Sequence, residues 1–265
     1  MHVAALGTSL LKGAAQQHPG ELELLAHGPV GDRRFCCVDP VAARVLRTVE
    51  NPRLLQLRAR LRHDPGGPEV LVLDVPGHGR LEAPVEPADG AAVLRADYWG
   101  RVRDVDLLAG PWAAPLSAHL GREVVLTRAR PRDVVYGGGV TLVTTSSLGE
   151  LARRAGGPTA TAGLVADAER WRATLVVDSG DAPPFVEDSW VGRTLQVGST
   201  RLDVMAGVPR CAVVRYAPGD GRREGWDPLA LLAPDRLHRQ EVVFGVQAEV
   251  LVPGRVRVRD PVGAG

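Results

Sequence analysis

Leu55-Gln56-Leu57-Arg58-Ala59-Arg60-Leu61-Arg62 places its apolar side chains on odd positions only. A period of two describes an extended strand with one dry face and one wet face, whereas a helix repeats at 3.6. Pro65-Gly66-Gly67-Pro68 follows, a composition that turns the chain. Glu69–Val75 then runs extended again, so two strands are joined by a tight connection. Working outward from this pair, short apolar runs recur between turn signals: Val3–Leu6, Glu21–Leu24, Phe35–Asp39, Leu54–Arg62 (which contains the opening stretch), Val105–Leu108 and Glu123–Thr127. The series continues with Val140–Thr144, Leu175–Asp178, Thr194–Val197, Arg201–Ala206, Cys211–Tyr216, Val242–Leu251 and Arg255–Val258. Many short strands separated by Gly and Pro predict a barrel-type, mainly β fold.

Helical signals are few. Trp112–Leu120 reads as a short helix, as does Ala166–Trp171. Ser147-Leu148-Gly149-Glu150 has capping-box spacing, which predicts a helix over Leu148–Ala155 stopped by Gly156-Gly157. The loop Arg130–Gly139 is the natural divide. We therefore expect an α+β chain of two closely packed parts, an N-terminal domain over 1–127 and a C-terminal domain over 128–265.

The 265 residues include 45% hydrophobic and 24% charged side chains, ordinary values for a packed core. A net charge of +1 gives no electrostatic basis for nucleic acid as a partner. No run approaches the roughly 18 apolar residues of a spanning helix, and Met1–Leu11 lacks the basic-then-apolar order of a secretory signal. The expectation is a soluble cytoplasmic protein with no membrane partner.

Three cysteines, Cys36, Cys37 and Cys211, are too few and too unevenly spaced for a disulfide framework, a zinc site or an iron–sulfur cluster. Cys36 and Cys37 are neighbours in a strand and point to opposite faces, so they do not form a redox pair. Cys211 reads either as a small buried apolar residue or as a reactive thiol. Of the 32 basic residues, only Lys12 is lysine. An ammonium is a compact point charge where guanidinium is a planar fork, so position 12 is a candidate for a contact that arginine does not fit.

Several stretches, in order, resemble the MOSC family, the β-barrel family named after the C-terminal domain of molybdenum-cofactor sulfurase, in its form with an N-terminal β-barrel domain. Leu10-Leu11-Lys12-Gly13 is similar to that family's strand ending in Lys-Ser or Lys-Gly. Gly31-Asp32-Arg33-Arg34-Phe35 and Asn51-Pro52-Arg53-Leu54 are similar to two N-terminal motifs. Thr144-Thr145-Ser146-Ser147-Leu148, Arg170-Trp171-Arg172-Ala173-Thr174, Glu187–Gly192, Pro209-Arg210-Cys211 and Phe244-Gly245 complete the pattern. The resemblance is to the mitochondrial amidoxime-reducing component and those bacterial relatives that carry no fused ferredoxin domain.

The resemblance implies a molybdenum pterin cofactor, with Cys211 as metal ligand and catalytic residue. Lys12, Arg33 and Arg172 would hold its anionic groups, joined by Ser146, Ser147 and Thr174. It implies an oxidoreductase acting on N-hydroxylated small molecules, with electrons from a separate donor protein. Two other readings remain: a sulfur carrier using a Cys211 persulfide, and a non-catalytic binder of the pterin cofactor. Thr174 stands where the family has asparagine, Ala173 where it has proline and Gly13 where it often has serine. Val214-Arg215 replaces a Thr-Thr pair. Ser147 with Glu150 is also explained by helix capping alone.

Overall fold

Phe35–Asp39 is buried along its whole length, and its side chains leave alternately on two sides. Phe35 and Cys37 enter one apolar cluster, with Leu54, Leu57, Leu73 and Leu116. Cys36 and Val38 enter another, with Val45, Ala96 and Val105. A strand buried on both faces is the middle of a packed unit. Here it is one stave of a closed barrel whose other strands are Arg44–Val45, Val93–Tyr98, Arg101–Leu107 and Val125–Arg128. Arg58–His63, Glu69–Val75 and Gly79–Pro84 form a three-stranded antiparallel sheet beside it. The computed structural model describes residues 1–63, 65–88, 90, 92–156, 163 and 167–264.

The alternation read in Leu55–Arg62 holds for its second half: Ala59 is buried while Arg58 and Arg62 are exposed. Its first half is a 3₁₀ turn, Pro52–Gln56. Pro52 presets the helical φ at the first position, and burial of both Leu54 and Leu55 needs a helical rather than a pleated display.

The second half is an eight-stranded sheet. Its strands run in the order His2–Leu6, Leu175–Asp178, Val140–Thr144, Glu241–Val252, Thr200–Pro209, Thr194–Val197, Val262–Ala264, with Leu237–His238 paired to Glu241–Val252. The two edge strands meet. His2 bridges Pro261, Val3 N–H donates to Asp260 O at 2.9 Å and Val262 N–H to Met1 O at 3.1 Å, so the sheet closes on itself. Glu21–Leu25 pairs with Gly254–Arg257 and with Gly28–Pro29. Residues 2–29 thus supply strands to the second half, and Val3, Leu6, Leu22 and Leu24 are part of its core.

Three local expectations are corrected. Helix Thr145–Arg154 is capped by Thr144, whose hydroxyl accepts from Ser147 N–H. Ser147 is therefore inside the helix, and Glu150 turns outward to Arg153 and Arg154. Thr144 ends a strand in extended geometry, which puts its oxygen in the capping position before Ser147 arrives. Cys211–Tyr216 is not a strand: Ala212–Arg215 is a 3₁₀ turn with Val214 buried. Strands Gly79–Pro84 and Val93–Tyr98 and helix Pro228–Arg236 carry weak sequence signals and were not anticipated. Ala168–Trp171 is 3₁₀; Ala166 and Gly157, at the expected ends of two helices, lie outside the described residues. Among the described residues no helix is long and apolar enough to cross a membrane.

Burying Val3, Leu6, Leu22 and Leu24 contributes roughly 6–12 kcal/mol at about 1.5–3 kcal/mol each, comparable to a whole domain's stability. A fragment of residues 128–265 alone is therefore expected to show no cooperative thermal unfolding transition. Joining residues 1–30 to it through a flexible linker should restore one, as followed by calorimetry. A cooperative transition in the bare fragment would contradict this.

Candidate functional site

The segment Ser9–Lys12 runs alongside Arg33–Phe35. Arg33 N–H donates to Ser9 O at 2.6 Å, Phe35 N–H to Leu10 O at 3.0 Å and Lys12 N–H to Phe35 O at 2.8 Å. Two stretches singled out separately in the sequence are thus one structural unit. Asp32 fastens it, accepting from Ser9 N–H at 2.9 Å and from the Thr8 hydroxyl at 3.1 Å, and it forms an ion pair with Arg33. Gly13 has φ +86°, and a Cβ there would lie 2.6 Å from Thr48 Oγ1, so the chain turns after Lys12 only with glycine. The serine of the family pattern does not fit this turn.

Lys12 is 8% exposed. Its ammonium donates to Leu46 O at 3.2 Å and sits 5.0 Å from the centre of the Tyr98 ring. Arg172 follows the turn Ala168–Trp171 and crosses to the N-terminal segment, where it donates to Ala14 O at 2.9 Å and to the Ser9 hydroxyl. Thr141 and Thr174 hold its base. Thr141 donates to Arg172 O at 3.1 Å, and Thr174 exchanges backbone and side-chain hydrogen bonds with Thr141.

Cys211 stands where the long strand Thr200–Pro209 leaves the sheet. Arg210 N–H still pairs with Val242 O at 2.8 Å, and the chain then turns. The Arg210 side chain folds inward, donating to Phe244 O at 2.8 Å and Trp171 O at 2.7 Å. Gly245 makes room for it: with φ +69°, an added Cβ would lie 2.5 Å from Leu142 O and 3.2 Å from Arg210 Nη2. Anchored in this way, Arg210 leaves Cys211 exposed.

Lys12, Arg33, Arg172 and Cys211 line one cavity of about 360 Å³ formed by residues of both halves. The positive charges of Arg33 and Arg172 both act on Lys12. Arg47, Arg170 and Arg210 add positive charge to the wall, which holds one carboxylate, Glu241. Arg170 is neutralised by Asp167 and Glu224. Among the described residues, Lys12 and Arg172 hydrogen-bond only neutral groups, while Asp32 and Glu169 act on Arg172 through their charge. Burial lowers the Lys12 ammonium to about 8 and the Arg172 guanidinium to about 10. Among the described residues, three buried donors on wall residues, Arg47 Nε, Trp171 Nε1 and Arg210 Nη2, have no hydrogen-bond partner.

Ser146, Ser147 and Thr174 lie outside the lining. Ser147 is fully buried and donates to Glu187 at 2.7 Å, Ser146 donates to Pro183 O at 3.2 Å, and Thr174 acts on the base of Arg172. Residues the sequence reading passed over also line the wall, among them Arg47, Thr48, Tyr98, Trp99 and Tyr136. Trp99-Gly100 carried one readable signal, a glycine at the tip of what is a hairpin.

A family model described as the MOSC domain matches residues 137–263. This half of the chain is a MOSC domain. Among solved structures, the YuaD protein from Bacillus subtilis aligns over 98% of this chain and 93% of its own, at 11% identity and a TM-score of 0.41. The solution structure of a protein from Bordetella bronchiseptica aligns over 42% of this chain and 89% of its own, at 22% identity and a TM-score of 0.32. No curated protein matches the chain. Its MOSC domain supplies Arg172, Arg210 and Cys211 to the cavity, and residues ahead of it supply Lys12 and Arg33.

The buried ammonium has a thermodynamic signature. The folded protein holds the Lys12 proton less tightly than the unfolded chain, where the ordinary value is 10.5. The cost is fully present below about 8 and fades as pH rises from about 8 to about 10.5. In protein without bound anion, Lys12→Met is expected to gain on the order of 2–3 kcal/mol at pH 7, with a smaller gain at pH 10. Denaturant titrations of both proteins at both pH values check this. A gain that does not shrink with pH would remove the charge argument.

Proposed function

We propose that the cavity holds a molybdenum pterin cofactor and that the protein reduces N-hydroxylated small molecules with electrons from a separate donor. The observation that carries this reading is the meeting of an exposed thiol with a buried lysine and two arginines in one cavity. A thiolate is a soft ligand suited to such a metal. Among the described residues no three His, Cys, Asp or Glu side chains cluster as a metal site, so a metal on Cys211 has to bring ligands of its own. Lys12, Arg33 and Arg172 match the anionic groups of a pterin phosphate, and Trp171 Nε1 and Arg210 Nη2 are donors still to be satisfied.

When bound, the cofactor would supply a two-electron centre; with two electrons from the donor and two protons from solvent, the N–O bond would be cleaved to give N–H and water. The chain's own residues do the rest. Cys211 anchors the metal and Arg210 fixes the backbone at Cys211 through Phe244 O and Trp171 O. Lys12, Arg33 and Arg172 offset the cofactor's negative charge, and walls from both halves limit the entry of water. A sulfur carrier needs an accessible thiolate but not this cationic enclosure.

Protein made in a host with pterin-cofactor biosynthesis is expected to contain close to one molybdenum per chain, measured by plasma mass spectrometry. Cys211→Ser should lose most of it, because serine is a harder and far less acidic ligand. Metal-free wild-type protein whose Cys211 carries an added sulfur atom by mass would favour the persulfide reading instead.

A second measurement separates the lysine from charge alone. Lys12→Arg keeps the charge but brings a longer planar group into a closed space. Retained cofactor after gel filtration should fall by an amount equivalent to about 1–3 kcal/mol of binding. Arg62→Lys, on an exposed strand face, should retain it fully. Equal retention by Lys12→Arg and wild type would mean that the ammonium is not a ligand contact.

A further inference from the structure

The chain has only five tryptophans, three tyrosines and three phenylalanines. Tyr98, Trp99, Tyr136 and Trp171 all line the one cavity. Two of these are left in water: Trp99 is 47% exposed and Tyr136 is 75% exposed. A protein poor in aromatic residues would be expected to spend them on its core.

Trp99 is costly in a second way. Strands Val93–Tyr98 and Arg101–Leu107 pair Tyr98 with Arg101, so the hairpin turns on two residues, Trp99 and Gly100. Both have positive φ, 55° and 77°. Such a turn favours Asn or Gly at each place, and a bulky aromatic in the left-handed region is strained. Strain of this kind persists where the surroundings enforce it, and it collects at ligand sites. Arg33 and Arg172, also in the cavity, are left-handed as well, each with φ 51°.

The ring itself is held. The Arg47 guanidinium lies 4.6 Å from the Trp99 ring centre, and Arg47 is in turn ion-paired to Glu50. The Tyr136 ring is 6.0 Å from that of Trp99 and tilted by 49°. The two rings are in contact, and together they present an exposed aromatic surface on which a flat ring can stack or set its edge, the two arrangements that aromatic quadrupoles favour.

We propose that Trp99 and Tyr136 form an aromatic subsite at the mouth of the cavity that selects planar aromatic N-hydroxylated substrates. The proposal rests on the reading given above for the head group; the aromatic pair itself recognises the ring. Trp99 sits on the first barrel and Tyr136 on the loop leading into the MOSC domain, so the subsite spans both halves. Arg47 is a positioning residue for the indole.

The test is equilibrium titration of the isolated protein with benzaldehyde oxime and with cyclohexanecarbaldehyde oxime, molybdenum being quantified in the same preparation. The two compounds share an N-hydroxyl head and a six-membered ring, and only the first ring is planar. Wild type is expected to bind the planar compound about tenfold more tightly. That ratio should fall to near one when Trp99→Leu and Tyr136→Leu are combined, and should survive in Trp99→Phe, which keeps a ring. Equal affinities in wild type, or a ratio unmoved by the double substitution, overturn the subsite. Metal-free protein that still shows the preference, and loses it in the double variant, upholds the subsite and overturns the cofactor reading. Molybdenum-loaded protein without the preference does the reverse. Both substituted side chains are exposed, and unchanged unfolding midpoints confirm that the fold is intact.

Discussion

The hydrogen-bonded seam between Ser9–Lys12 and Arg33–Phe35 is the constraint on which the cavity depends. Residues 2–6 are fixed in the sheet of the second half and Phe35–Asp39 is fixed in the first barrel. Whatever lies between has to cross from one core to the other. Asp32 closes that crossing by gathering Thr8, Ser9 and Arg33. Because the crossing is tight, Lys12 and Arg33 are delivered to one wall, and Arg172 can reach Ser9 and Ala14 from the other side. Loosening this seam would unmake the cavity without disturbing either barrel's own strands.

The electrostatics of the wall follow from the same geometry. Positive groups are brought together on a wall that holds one carboxylate; Arg33, Arg47 and Arg170 find theirs behind it, while Lys12 and Arg172 turn to backbone carbonyls and a hydroxyl. Neutral acceptors solvate a cation but do not cancel its field. For Lys12, whose burial is answered by a carbonyl and an aromatic ring, the desolvation of the charge stays uncompensated in the folded chain. Elsewhere the arginines are ordinary: Arg154 with Asp235 and Glu150, or Arg236 with Asp188, are paired charges near the surface.

Much of the architecture was legible because strands advertise themselves by alternation. Phe35–Asp39, Glu69–Val75, Val140–Thr144, Leu175–Asp178 and Thr194–Val197 were read with their observed bounds. Val93–Tyr98 and Gly79–Pro84 were not, since charged and small residues dilute their pattern. Valines at 213 and 214 suggested a strand where the chain in fact turns, because the signal of a β-branched pair cannot register that the sheet has already ended at Pro209. At the site, Lys12, Arg33, Arg172 and Cys211 stood out by rarity or by motif. Tyr98, Trp99 and Tyr136 did not, because an aromatic at a hairpin tip or in a loop has no spacing that separates a binding surface from incidental exposure. Ser147 lies inside the first turn of its helix rather than at the cap its spacing from Glu150 suggests, and its hydroxyl faces a buried carboxyl rather than the cavity.

Closure of the second barrel by His2–Leu6 against both Leu175–Asp178 and residues 260–262 has a temporal consequence. During synthesis the first stave leaves the ribosome long before either neighbour exists. It must remain uncommitted while the intervening barrel assembles, and the ring is sealed only when the last strands emerge. Contacts of such sequence separation make folding slow and leave strand edges open in the interim. Maturation of this protein is thus set by the arrival of its distal segments, and any large partner inserted into the cavity has its widest access before that seal.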